Sequence, residues 1–277
     1  MSGDPRLTLA RPGLATASLQ GVLRADRFAE ASPMQLVAPM APLRAAADPA
    51  AEQLDQLLAG ELFDVLEIEG AFAWGQARRD GYVGFVEAEA LSGDQLAPTH
   101  WVTAPTTFAF AEASIRSPAF GPLSLNALVT VAEQRGPLAR AVRVGWIPAA
   151  HLAPVGWNFT DAAAVAERFL GAPYLWGGRS GLGLDCSGLL QQALYARGQA
   201  CPRDADQQAA LGEPVAPGEA RRGDLVFWRG HAGILLDQTR LLHANAHHMA
   251  VAIEPLSEAV ARIAAAGVGE PTAFRRP

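Results

Sequence analysis

A cysteine and a run of histidines in the last third of the chain could together break an amide bond. Cys186 stands in Gly183-Leu184-Asp185-Cys186-Ser187-Gly188-Leu189-Leu190. Apolar residues at 189, 190, 193 and 194 follow a helical spacing, and Gly198 supplies a stop. This puts the thiol in the first turn of a helix, with Asp185 or its neighbour as cap. The unpaired amides and the dipole of a helix N-terminus favour a thiolate, and the thiolate is the nucleophile. Taken alone, a cysteine here reads equally well as a small buried hydrophobe. A working thiol needs a base, and four of the six histidines fall at 231, 243, 247 and 248. One imidazole must lie beside the thiol, and a polar group must hold that imidazole's tautomer. His231 suits the first role. His243 suits the second, with Asn245 as its rival. His247 and His248 read as exposed turn residues. The blander alternatives are a surface-loop histidine at 231 and a satisfied core histidine at 243.

The elements that must position these groups can be read around them. Residues 224–228, 231–236 and 241–245 have the pattern of strands. A hairpin turning about Asp237 would put His231 and His243 on one face, because their numbers differ by an even step. A slip of one residue would separate them. Upstream, Thr160 is placed to cap a helix over 161–170, with Asp161 in its first turn and Gly171 after its end. The glycine-rich loop YLWGGRSGLGL then permits tight turns and close approach of another chain.

The chain in front of these elements is β-rich. An offset of 61 residues relates Val83-Gly84-Phe85-Val86 to Val144-Gly145-Trp146-Ile147, Leu91 to Leu152, and Gly60 to Gly121. Alternating runs at 62–68 and 123–131 accompany the repeat. Two small β-barrels are expected, at 33–98 and 99–155, behind an arm at 1–32 with a short helix around residues 19–28. The character changes at Pro154-Val155-Gly156, which begins an α+β domain at 156–277.

Composition narrows the function. The chain has 277 residues, 50% hydrophobic and 18% charged, as in soluble globular proteins. A net charge of -6 and the lack of a basic stripe argue against nucleic acid as partner. No apolar run approaches a membrane span. Asp4, Arg6 and Arg11, with Pro5 and Pro12, interrupt the apolar stretch that a secretory signal needs, so a cytoplasmic protein is expected. Two cysteines, Cys186 and Cys201, make neither a disulfide framework nor a zinc site. Neither a metal nor an organic cofactor is implied. Oligomeric state has no sequence signal.

The motifs YLWGG, DCSGL, PRDADQQ, GDLVFW, HAGI and LLHAN follow one another in this order. Together they resemble the NlpC/P60 cysteine peptidases, over residue 163 to about residue 256. The Gly-aromatic-aliphatic pattern of Asp80-Gly81-Tyr82-Val83-Gly84-Phe85-Val86 resembles bacterial SH3 (SH3b) domains, and the second copy is a weaker match. The combination is similar to enzymes that cleave γ-D-glutamyl-diamino acid bonds in murein peptides with a free N-terminal L-Ala. The resemblance implies a papain-like α+β peptidase domain behind two small SH3-like β-barrels. It also implies Cys186 as nucleophile, His231 as base, His243 as the third, orienting residue and Tyr174 near the oxyanion. The Cys186 amide is a plausible second oxyanion donor.

Asp185, Ser187 and Trp176 would bind the substrate's amino end, and Tyr82 and Glu52 would reach the same pocket from the first barrel. Each has a plainer alternative. Asp185 could simply cap the helix, Tyr82 fill the barrel core, and Glu52 be a solvated charge. Ala205 stands where relatives often carry a small hydroxyl, which removes one substrate hydrogen bond. Arg203 and Asp204 match the loop and read as structural. Cell-wall peptide recycling is the expected setting. The rival functions are an amidase or transacylase on another amide, and an inert peptidoglycan-binding protein.

Overall fold

A computed structural model describes residues 3–277. The chain divides into two units, with the boundary between Val155 and Gly156.

The N-terminal unit is almost wholly β. Its leading arm is a sheet of three short strands, Ala10–Arg11, Leu14–Thr16 and Arg27–Ala29, the last two parallel. The helix expected around residues 19–28 is absent. A 3-10 turn ends at Leu19, and Gly21 then adopts φ +83°, a conformation that an α-helix cannot continue through. The arm is held by packing. Leu9 and Leu14 bury against Leu66, Phe72, Trp74 and Phe85, and the Arg11 guanidinium lies 4.9 Å over the Trp74 ring while pairing with Glu67.

A seven-stranded antiparallel sheet follows, running from Ser32–Leu36 to Leu91–Ser92, with Leu36, Leu43, Leu57, Phe63, Ala73 and Val86 in its core. A three-stranded and a five-stranded sheet then enclose a second core of Val102, Ala109, Leu123 and Ile147. Leu58, at the end of a strand of the first sheet, and Ala59 just after it contribute to this second core. The internal repeat has a structural counterpart. The strand Val83–Glu87, the 3-10 turn Ala88–Ala90 and the strand Leu91–Ser92 recur as Gly145–Pro148, Ala149–His151 and Leu152–Pro154. The glycine of each copy is explained by close approach. A Cβ on Gly84 would sit 2.3 Å from Leu43 Cδ2, and one on Gly145, at φ +115°, would sit 2.6 Å from the Phe110 carbonyl oxygen.

The C-terminal unit is a six-stranded antiparallel sheet with helices packed on it. The strand order is Glu213–Pro214, Ala273–Arg276, Leu225–Trp228, His231–Leu235, Arg240–Asn245, Ala250–Pro255. The helix Leu256–Ala265 covers Val226, Trp228, Leu235 and Leu241 through Ala259 and Ile263. Each fully buried leucine in such a layer contributes roughly 1.5–3 kcal/mol. The helix Cys186–Ala196 has every residue buried and lies against the strands of His231 and His243. A first helix spans Ala162–Glu167, and its cap is Asp161, one residue later than expected. Asp161 is extended and its carboxylate accepts the Ala164 amide at 3.1 Å, so the carboxylate that was expected inside the first turn closes it instead. No helix among the described residues is long and apolar enough to cross a membrane.

Candidate active site

Cys186 is the first residue of its helix, and Asp185 is the cap. The Asp185 carboxylate accepts the amide of Gly188 at 2.7 Å and that of Gly177 at 2.9 Å. It also accepts the Ser187 hydroxyl at 3.2 Å and both terminal nitrogens of Arg203, at 3.0 and 2.5 Å. Capping and ion pairing therefore occupy its lone pairs, and Arg203 balances its charge. Ser187 Oγ in turn accepts from Arg203 at 2.7 Å.

The glycines of the two flanking motifs let backbone meet backbone. The Asp185 amide donates to the Gly178 carbonyl at 3.1 Å, and a Cβ on Gly188 would lie 2.1 Å from that same oxygen. Only glycine at 188 allows the YLWGG loop to seat on the start of the Cys186 helix. The other side of the loop is held by the Tyr174 amide, which donates to the Met249 carbonyl at 3.0 Å.

His231 begins one strand and His243 lies in the next. The register pairs Ile234 with Leu242 and Leu235 with Leu241, so His231 and His243 share a face as diagonal neighbours. Nε2 of His231 lies 2.8 Å from Nδ1 of His243. Asn245, the rival for this contact, is engaged in the following turn, where its Oδ1 accepts the His248 amide at 2.8 Å. The amide of Ala232, next in chain to His231, points at the Cys186 sulfur, as does the amide of Ser187. This brings the thiol to the end of the strand that carries the imidazole. Trp228, on the neighbouring strand, lies with its ring 5.7 Å from that of His231 and shields it.

The electrostatics favour neutral groups at rest. Burial, reinforced by the Asp185 charge, pushes the Cys186 thiol up to about 12. Burial, with His243 and Arg262 nearby, pushes His231 down to about 3. Burial and the Arg262 charge also push His243 down to about 3. A neutral thiol and a neutral imidazole are the starting states that general-base chemistry requires. Tyr174 is half-buried. Burial, with the charges of Cys186 and Asp185, pushes its phenol up, so it stays a donor at neutral pH.

The other sequence candidates are placed as follows. Trp176 is 60% exposed on the glycine loop, and Ala205 is buried at the start of the short helix Ala205–Gln208. Tyr82 and Glu52 belong to the N-terminal unit, where Tyr82 is buried in the first core and Glu52 is exposed beside the strand Gln53–Leu58.

Two residues escaped the sequence reading. Glu254 Oε1 lies 2.6 Å from His243 Nε2, and Arg262 of the following helix bonds the same oxygen. The signal for Glu254 was its place in the alternating run VAIEP. That signal is silent without the register that pairs Leu241 with Glu254. His243, His248 and Glu254 each bring one ligand atom within 4.8 Å of the others, but the His243 and Glu254 atoms already bond each other.

This arrangement of a thiol at a helix start and paired imidazoles on an adjoining sheet defines a class, and the comparisons name it. Residues 171–268 match the NlpC/P60 family, and residues 43–91 match the bacterial dipeptidyl-peptidase Sh3 domain. The C-terminal unit thus carries an NlpC/P60 domain, and the N-terminal unit a bacterial Sh3 domain. Among particular relatives, the chain is 38% identical over 108 residues to the gamma-D-glutamyl-L-lysine dipeptidyl-peptidase of Bacillus subtilis, covering 36% of each protein. It is 40% identical over 102 residues to the gamma-DL-glutamyl hydrolase of the same species, covering 34% of this chain and 24% of that protein. The matched part is about a third or less of the length of these relatives. A crystal structure of an NlpC/P60 family protein from Bacillus cereus has the same fold, with a TM-score of 0.76 at 19% identity over 88% of this chain and 99% of that one.

Proposed function

We propose that the protein is a cysteine endopeptidase that hydrolyses the γ-D-glutamyl-diamino acid bond of murein peptides bearing a free N-terminal L-Ala. The observation that carries this reading is the contact between His231 Nε2 and His243 Nδ1 at 2.8 Å, beside a thiol at the head of a helix. Similarity to a protein named for γ-D-glutamyl-L-lysine cleavage supports the substrate class.

In this mechanism the Cys186 sulfur attacks the γ-carbonyl carbon while His231 takes the thiol proton. The oxyanion is met by the Tyr174 hydroxyl and the Cys186 amide. Collapse expels the diamino acid as an amine, which receives the proton from His231, and leaves a thioester on Cys186. Water, deprotonated by His231, then releases the peptide acid and restores the thiol. His243 orients His231. Ser187 and Trp176 are the proposed binders of the substrate's amino end. The Asp185 carboxylate, already filled with donors, shapes their pocket through the groups it holds. In this reading the enzyme acts in the cytoplasm, in recycling, on peptides already freed from the wall.

The test is hydrolysis of L-Ala-γ-D-Glu-diaminopimelate by the wild type and by Cys186→Ala, beside an N-acetylated peptide. Cleavage of the free-amine peptide alone, abolished in the variant, is expected. Equal cleavage of the blocked peptide would sink the amino-end pocket. Absence of cleavage by folded wild type would sink the peptidase reading. The likeness to a gamma-DL-glutamyl hydrolase favours a second reading, the same chemistry on another γ-glutamyl amide, which γ-linked oligoglutamate in the same assay would reveal.

A further inference from the structure

The hydrogen bonds that begin at His231 do not stop at His243. An ionised carboxylate has acceptors only, and a neutral imidazole carries one N–H. Glu254 Oε1 lies 2.6 Å from His243 Nε2, so Nε2 is the nitrogen that holds the hydrogen. His243 Nδ1 is then a bare acceptor. His231 Nε2, 2.8 Å away, must donate to it. His231 is left with a bare Nδ1, the lone pair that a base needs. Run the other way, the same two rings put an N–H at His231 Nδ1, where no lone pair would be left to take the thiol proton. The two directions differ by one proton shift within each ring, and only the carboxylate end distinguishes them. Glu254 is well held for this task. Its side chain is 10% exposed, it stands one residue before the end of the strand Ala250–Pro255, and Arg262 of the next helix grips the same oxygen.

We propose that Glu254 is a positioning residue of the site, whose carboxylate sets the tautomers of His243 and His231 and so reserves the His231 Nδ1 lone pair for Cys186. This rests on the peptidase reading for its purpose, but its first test needs no substrate. Long-range 15N–1H correlation spectra of the whole chain, labelled with 15N-histidine and recorded at pH 7.5, report the tautomer of each ring. Single replacements His231→Gln and His243→Gln assign the signals. Both rings are expected as Nε2–H tautomers in the wild type. In Glu254→Leu, His243 is expected to shift wholly or partly to Nδ1–H.

Kinetics on L-Ala-γ-D-Glu-diaminopimelate supply the second readout. Glu254→Leu is expected to lose on the order of 10²-fold in kcat with KM within about threefold. Glu254→Gln is expected to recover most of kcat, because two donors converge on Oε1 and would draw the amide oxygen to the same place. A wild-type His243 in the Nδ1–H form overturns the proposal. So does a folded Glu254→Leu with wild-type tautomers and wild-type kcat. If the leucine variant does not fold, the wild-type spectrum and Glu254→Gln still decide. If the wild type cleaves no γ-glutamyl peptide, the peptidase reading falls, while the spectra judge Glu254 independently.

Discussion

Arg203 lays both terminal nitrogens on the Asp185 carboxylate, Nη1 3.0 Å from Oδ1 and Nη2 2.5 Å from Oδ2, with both side chains nearly shut off from water. Because Asp185 also holds Gly177 and Gly188, this pair ties the glycine loop to the helix start that carries Cys186. Removing the guanidinium would strand a buried carboxylate. Arg203→Ala is expected to cost roughly 3–5 kcal/mol of stability. Urea unfolding monitored by circular dichroism measures this, and a cost well under 1 kcal/mol would show that the carboxylate finds another partner.

Burial alone would hold the Cys186 thiol protonated, so in the proposed mechanism its reactivity depends on His231. Iodoacetamide at pH 7.5 is expected to alkylate Cys186 at least about tenfold more slowly in His231→Ala than in the wild type. Cys201 is an internal control: it is 2% exposed and is expected to stay unlabelled in both. Peptide mass mapping separates the two thiols. Equal rates at Cys186 would remove His231 from the role of base.

The two buried histidines also predict a pH dependence of stability. Their values near 3 in the folded chain lie below the ordinary 6.5, with burial as the first cause. Between those limits the unfolded chain binds more protons, so stability rises with pH there. The contribution is complete above about 6.5 and is lost as the pH falls toward 3. Urea midpoints should therefore drop between pH 7 and pH 5, a window above most carboxylate titration. His243→Asn should flatten that drop. Equal midpoints at the two pH values in the wild type would contradict the burial of neutral imidazoles.

Gly188 is a stricter test of geometry. A methyl group there would meet the Gly178 carbonyl oxygen at 2.1 Å, and that oxygen is backbone, so the loop itself must move. Gly188→Ala is expected to lose about 1–3 kcal/mol of stability and most of the hydrolytic activity, because Tyr174 and Cys186 would part. Wild-type activity in this variant would separate the loop from catalysis.

A chelator should leave the activity unchanged. The two ligand atoms that His243 and Glu254 could offer a metal are spent on each other. Loss of peptide hydrolysis in EDTA, restored by a divalent cation, would contradict this.

How far the sequence reaches depends on the range of the forces involved. The helix from Cys186 to Ala196 was legible because its cap, its apolar spacing and its glycine stop are all local. The repeated strand and 3-10 turn were legible because the repeat is written in the sequence itself, whereas the crowding that requires Gly84 and Gly145 comes from the distant residues Leu43 and Phe110. The helix expected at 19–28 failed because the apolar pattern carried more weight than Gly21, whose positive φ ends the turn. Asp161 took the cap expected of Thr160 because either residue can accept the amide, and the backbone angles decide.

By itself the sequence determined the residue types a thiol-based site requires, the motifs that mark the NlpC/P60 and Sh3 domains, and the even spacing of two histidines. Tertiary structure alone decided which residues meet. The register put His243 and Asn245 on the face of His231, the following turn engaged Asn245 with His248, and the next strand brought Glu254 against His243. Folding likewise closed Arg203 onto Asp185 across 18 positions of chain. The physical reason is common to all three. A hydrogen bond between distant residues depends on sheet register and loop closure, which the whole packed core sets and no short window of sequence contains.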